Sequence, residues 1–188
     1  SEHTDSVCAL AHSHKHNRLF SGSRDGTVRV WSLPEEKDDG TVTAGRCVQV
    51  LTEHKDMVLS LAVTPDSSLL MSGCADGKIK MWSLQCTESV VSVGTLAGHT
   101  MPVTALATAS LDNKLVLVSG SGDATIRVWS LSVHAEPLRT ISNHASWIDT
   151  ICVNNDSQPV VFSGSRGSRY YDIGQNKICM QSVESGEC

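Results

Sequence analysis

The chain contains no apolar run approaching the roughly 20 residues that a membrane-spanning helix requires, so no membrane-spanning helix is expected within these residues. Its first thirty residues lack the order of charged, apolar and small residues that marks a secretory signal. That lack predicts a cytoplasmic protein, with the nucleus also open to it. Positive charge is not in excess: 15 Lys and Arg stand against 20 Asp and Glu, a net charge of −5. A protein that grips nucleic acid through a basic surface is therefore not expected. No pair among the seven cysteines, at 8, 47, 74, 86, 152, 179 and 188, has C-x-x-C spacing. This excludes a zinc knuckle or a thioredoxin-type motif, and scattered thiols suit a reducing compartment. No G-x-S-x-G nucleophile elbow is present, and the glycine-rich Ser119–Asp123 is not followed by the G-K-[ST] of a phosphate-binding loop. Helix-period apolar runs are absent as well.

What the chain does contain is itself, four times over. LFSGSRDGTVRVWSL (19–33), LMSGCADGKIKMWSL (70–84), LVSGSGDATIRVWSL (117–131) and VFSGSRGSRYYDI (161–173) align directly. Their Ser-Gly pairs begin at 21, 72, 119 and 163, a repeat of 51, then 47, then 44 residues. A second landmark keeps the same beat: His3, His54, His99 and His144 each stand four residues before Val7, Val58, Val103 or Ile148. Each repeat reads as four short strands. The first follows the histidine. The second ends at Ser-Gly, in a continuous apolar run expected to be covered on both faces. Asp25-Gly26, Asp76-Gly77 and Asp123-Ala124 turn the chain into an alternating third strand. A weaker fourth strand lies at 46–51, 91–96, 137–141 and 177–182. One such sheet has two apolar faces, so it must stack on copies of itself.

These residues resemble the WD40-repeat family of β-propellers. The resemblance rests on the histidine four before a β-branched residue, the S-G-[SC]-x-D turn and the following [TK]-[VI]-[RK]-[VM]-W. The fold it implies is all-β, with residues 1–188 forming four four-stranded antiparallel blades at about 3–51, 54–96, 99–141 and 144–183. Members usually have seven blades, which implies that these four belong to a larger ring or to an arc completed by another chain. Departures from the pattern are visible. Gly-His occurs only at Gly98-His99, Ser follows Trp31, Trp82 and Trp129 where Asp is usual, and Tyr171-Asp172 stands in the fourth repeat where Trp-Asp is expected.

The resemblance also implies a buried hydrogen-bond network in each repeat: His3–Ser21–Asp25–Trp31, His54–Ser72–Asp76–Trp82 and His99–Ser119–Asp123–Trp129. In the fourth repeat only His144 and Ser163 remain. A catalytic triad is the competing reading of Ser, His and Asp, but catalysis needs one such set and the chain carries three. Family members bind partners through the loop before the first strand and the residue before the turn aspartate. This marks Ser6, Met57, Pro102 and Trp147, together with Arg24 and, loosely, Arg166. His12, His14 and His16 alternate and would share one side of an extended strand, where they could hold a transition metal. They fall where a turn is expected, so no metal and no cofactor are assigned. The expected function is a non-enzymatic scaffold that binds other proteins or peptides. The alternative is a reader of acidic or phosphorylated peptides, acting as substrate receptor of a ubiquitin ligase with Arg24 and Arg166 as its clamps.

Overall fold

A computed structural model of the chain describes residues 2–36, 40–86, 89–111, 114–131, 137–154, 160–165 and 177–182. Among them there is no helix. The first sheet runs β1 (Val7–Ser13), β2 (Arg18–Ser23), β3 (Val28–Ser32) and β4 (Arg46–Leu51); the second runs β5 (Val58–Val63), β6 (Leu69–Cys74), β7 (Ile79–Ser83) and β8 (Val91–Leu96). The third runs β9 (Val103–Leu111), β10 (Lys114–Ser121), β11 (Ile126–Ser130) and β12 (Pro137–Ile141); the fourth holds β13 (Ile148–Val153), β14 (Val160–Ser165) and β15 (Lys177–Ser182). Every sheet is antiparallel, and its strands pair in chain order. The molecule is a set of propeller blades.

The blades stand side by side. Strand β1 lies against β5, β5 against β9, and β9 against β13. Side chains tie this inner row: Ser60 donates to the Val103 carbonyl (3.1 Å), Thr108 to that of Val63 (2.7 Å) and Thr104 to that of Ile148. The apolar core accordingly divides into three clusters, one for each junction. Phe20, Val28 and Val30 meet Val58, Leu70 and Trp82 between the first two blades. Met71 and Ile79 meet Val103, Leu117 and Trp129 at the next, and Val116, Val118 and Ile126 meet Ile148, Ile151 and Val161 at the last.

The alternation of the third strand explains this division. Val28 and Val30 face the following blade, while the tryptophan on the other face packs against the preceding one. Trp82 and Trp129 are thus fully buried, whereas Trp31, with no described blade before it, is half-buried. The Ser-Gly landmark is also a packing requirement. A Cβ on Gly22 would stand 2.6 Å from Val58 Cγ1; on Gly73, 2.7 Å from Val103 Cγ1; on Gly120, 2.7 Å from Ile148 Cγ2. Glycine is the notch into which the next blade's β-branched knob closes. At the first blade the equivalent knob, Val7, is 51% exposed, although Val58, Val103 and Ile148 are all completely buried.

One sequence expectation is corrected. Lys177–Ser182, expected as a fourth strand, pairs directly with β14 and so takes third place in its blade. Its register repeats that of the other third strands: Gly164 opposes Ile178 as Gly22 opposes Val28, and Val161 opposes Gln181 as Leu19 opposes Trp31. The connection that precedes it spans 166–176, where the first blade uses only 24–27. That insertion displaced the strand from the spacing the repeat predicted. Tyr171-Asp172 and Arg166 lie outside the described residues.

Candidate interaction surface

Antiparallel order puts the loops entering β1, β5, β9 and β13 at the same end of the blades as the turns between second and third strands. In the first three blades those turns are built the same way. In the first blade Gly26 N–H donates to the Ser23 carbonyl (3.2 Å) and Gly26 takes φ +79°; Gly77 takes φ +82° in the second. In the third, Ala124 occupies the same left-handed conformation at φ +64°.

Beneath these turns lies the histidine network. Trp31 Nε1–H donates to Ser21 Oγ (2.8 Å), Ser21 pairs with His3 Nε2 (2.7 Å), and His3 Nδ1 pairs with Asp25 (2.9 Å). A neutral imidazole that accepts from the serine and donates to the carboxylate satisfies each link. The third blade repeats it through Trp129, Ser119, His99 and Asp123 at 2.8, 2.7 and 2.9 Å. Sequence reasoning missed a fifth member, the threonine after the turn. Thr27 and Thr125 each donate a hydroxyl to the aspartate (2.6 Å). Burial alone would raise the Asp25 carboxyl; hydrogen bonds from Thr27, His3 and Thr4 overcome it and hold the group far below its usual range. The same balance brings Asp123 down to about 2.

The second blade differs. His54 pairs with Ser72 (2.6 Å) and Trp82 donates to Ser72 (2.8 Å), but Asp76 makes no hydrogen bond to His54. The expected four-member network is therefore cut after three. Lys78 stands where the first and third blades have threonine, and Asp76 accepts its backbone N–H (3.0 Å), with the Cys74 thiol also hydrogen-bonding to the carboxylate and the Lys78 ammonium more distant (3.9 Å). Burial, with the nearby charge of Lys80, pushes the His54 imidazole down to about 4. In the fourth blade, among the described residues, His144 pairs with two serines: Ser163 (2.7 Å) through Nε2 and Ser165 (2.9 Å) through Nδ1. The signal was the serine that follows each Ser-Gly in three of the four repeats.

Above the network, the marked residues of the loops before the first strands meet the residues before the turn aspartates (Arg24, Ala75 and Gly122) in pairs. Arg24 N–H donates to the Ser6 carbonyl (3.0 Å), Ala75 to Met57 (2.9 Å) and Gly122 to Pro102 (2.9 Å). Arg24 and Ser6 are exposed; Met57 and Pro102 are half-buried. Trp147 lies across the neighbouring blade's turn, its indole 3.1 Å from where a Gly122 Cβ would be, with 37% of the residue still exposed. The upper rim is thus a row of small, apolar and cationic groups over a rigid buried base.

The three alternating histidines separate. Strand β1 ends at Ser13 and His14–Asn17 form a turn, so His12 and His14 meet edge to face (4.2 Å between centroids) while His16 donates to the Ser67 carbonyl (3.0 Å). Among the described residues no three His, Cys, Asp or Glu side chains gather as a metal site.

Comparison with known proteins follows the repeats. The profile described as "WD domain, G-beta repeat" matches residues 1–32, 45–83 and 90–130. Human "Kinesin-like protein KIF21A" is 36% identical over 108 residues, which are 57% of this chain and 6% of that protein. The Arabidopsis thaliana "WD40 repeat-containing protein HOS15" is 32% identical over 110 residues, 54% of this chain and 17% of that one. The chain thus spans a small part of these relatives' length. In three dimensions, the computationally designed Ika4 protein superposes over 97% of this chain and 94% of its own, with TM-score 0.73 at 24% identity. That likeness concerns the fold.

Proposed function

This chain belongs to the WD40 family of WD-domain, G-beta repeats, and from that premise we propose that it works as a non-enzymatic scaffold which docks protein partners on its upper rim. Members of the family are protein-interaction domains and generally not enzymes. The observation that supports the upper rim is the pairing of Ser6 with Arg24, Met57 with Ala75 and Pro102 with Gly122, beside a Trp147 that is anchored on one side and open on the other. An aromatic held this way loses little entropy on binding, and Trp and Arg are the residues that dominate interface energy. The histidine networks serve the rim by fixing its turns; three near-copies of one constellation brace a structure rather than turn over a substrate.

The test is a photo-crosslinker, p-benzoylphenylalanine, in place of exposed Ser6. Discrete protein adducts in cell extract, suppressed by Trp147→Ala or Arg24→Ala, are expected. Adducts indifferent to both substitutions would refute the assignment. The finer reading, a receptor for acidic or phosphorylated peptides in a ubiquitin ligase, requires Arg24 and Arg166 to act together. An Arg24→Ala, Arg166→Ala double variant that binds a phosphopeptide as well as the parent removes that reading.

A further inference from the structure

The first two blades share an ion pair that the third lacks. In each, the residue before the network histidine holds the cation at the second position of the third strand. Glu2 accepts from Arg29 Nη1 (3.0 Å), and Glu53 accepts from Lys80 Nζ (2.9 Å). The third blade keeps the cation as Arg127, but Gly98 stands where the acid would be. The guanidinium occupies the vacated side nonetheless. Its central carbon lies 6.0 Å from the Trp129 ring centroid, and a Cβ on Gly98 would stand 2.8 Å from Arg127 Nη1. Among the described residues no carboxylate pairs with Arg127, and its side chain makes no hydrogen bond. The buried Nε is unpartnered in Arg29 as well, but there Nη1 is held by Glu2. Blade three thus carries a half-buried guanidinium whose charge is unmatched. Such a group has lost part of its hydration with no ion pair in exchange.

The surface around this charge is open. Gly98 is exposed in the loop that carries the chain from β8 to β9. Thr140, directly opposite Arg127 in the β11–β12 ladder, is exposed as well, and opposed residues share a face of a sheet. Two residues before it on the same edge strand, Leu138 is 59% exposed. We propose that Arg127 receives an Asp or Glu side chain of a partner protein, its carboxylate lying over Gly98 as those of Glu2 and Glu53 do in the first two blades, and an aliphatic neighbour resting on Leu138. The seat is defined by what fills it twice elsewhere in the chain, which is a carboxylate. A planar guanidinium grips that group through two parallel N–H···O bonds, and an arginine in such a setting is a residue type that dominates interface energy. This proposal rests on the scaffold reading and adds to it a second, chemically defined contact beside the junction of the second and third blades.

The probe is the terminally blocked peptide Gly-Leu-Glu-Leu-Gly, titrated at low salt into the isotope-labelled chain. The readout is the Arg127 Nε–H signal in nitrogen–proton correlation spectra, assigned by its loss in Arg127→Gln. A saturable shift is expected, with affinity at least tenfold weaker for the Gln counterpart of the peptide. Glutarate, which offers carboxylates without an aliphatic side chain, is expected to bind severalfold more weakly than the peptide. Gly98→Glu fills the seat from within the chain. Gly98 does not adopt a positive φ, and the atom nearest its absent Cβ is the end of a flexible side chain, so the variant is compatible with the fold. Its Arg127 signal is expected to stand near the bound position before peptide is added and to respond no further. Absent saturation, equal affinity for the Glu and Gln peptides, glutarate binding as tightly as the peptide, or an undiminished response in Gly98→Glu each overturns the proposal. A shift of the Trp147 indole with Arg127 silent would assign the peptide to the upper rim, which overturns it while leaving the scaffold reading intact.

Discussion

Individual side chains show how one motif is tuned from blade to blade. Asp25 and Asp123 each hold a histidine, whereas Lys78 in place of threonine leaves His54 with Ser72 alone. Burial drives His54 down to about 4, against about 6.5 in an unfolded chain. Between those values the unfolded state binds more protons, so stability is full above pH 6.5 and is lost as pH falls toward 4. The loss attributable to this residue is on the order of 3 kcal/mol, readable as the pH dependence of urea midpoints, and His54→Gln is expected to flatten it. The third turn holds a different strain. Ala124 sits at φ +64°, where Gly26 and Gly77 sit in the other blades. Ala124→Gly should stabilise by about 1 kcal/mol, measured by chemical denaturation; an unchanged or lower midpoint contradicts that account. Cys74, pushed up to about 11 by burial, is expected to resist alkylation in the native protein while Cys8 and Cys86 react.

Strands and turns were largely legible from the sequence because each periodic landmark has a local cause. The alternation of Val28, Arg29 and Val30 is a face rule, and it names the buried side without knowledge of the neighbours. Ser-Gly is different: its serine belongs to the blade's own histidine network, but its glycine answers to a knob in the next blade, a contact no single repeat reveals. Gly120→Ala would drive a methyl to within 2.7 Å of both Ile148 Cγ2 and Ile151 Cδ1. A cost of about 1–3 kcal/mol is expected from overpacking, seen as a lowered thermal midpoint. The fourth repeat departs from its spacing for a comparable reason. Spacing assigned Lys177–Ser182 to an outer strand, yet the apolar alternation of Ile178 and Met180 repeats that of Val28 and Val30, and the register follows the alternation. Pattern outranks distance along the chain when the spacing between two strands has changed. The Asp76 departure was written in the sequence too, as the single lysine among the residues that follow the turns.

At the level of the whole molecule, the described residues form three junctions among four blades, and the first blade's inner flank has Val7 and Leu10 at 51% and 63% exposure. We propose that this flank is covered in solution, either by further blades or by another chain. Light scattering during size-exclusion chromatography checks this for the 188-residue chain: a mass above 20.1 kDa is expected, and a compact, stable monomer contradicts it.

The knob-and-notch joint also has a direction. Each slice offers a glycine hollow on one side and a branched side chain on the other, so like sides do not fit one another. Two copies meeting through a twofold axis would set Val7 against Val7 and leave both hollows empty. Growth at this joint is therefore head-to-tail, as in heterologous assembly, and its outcome is a closed wheel or a filament, decided by the angle turned at each step.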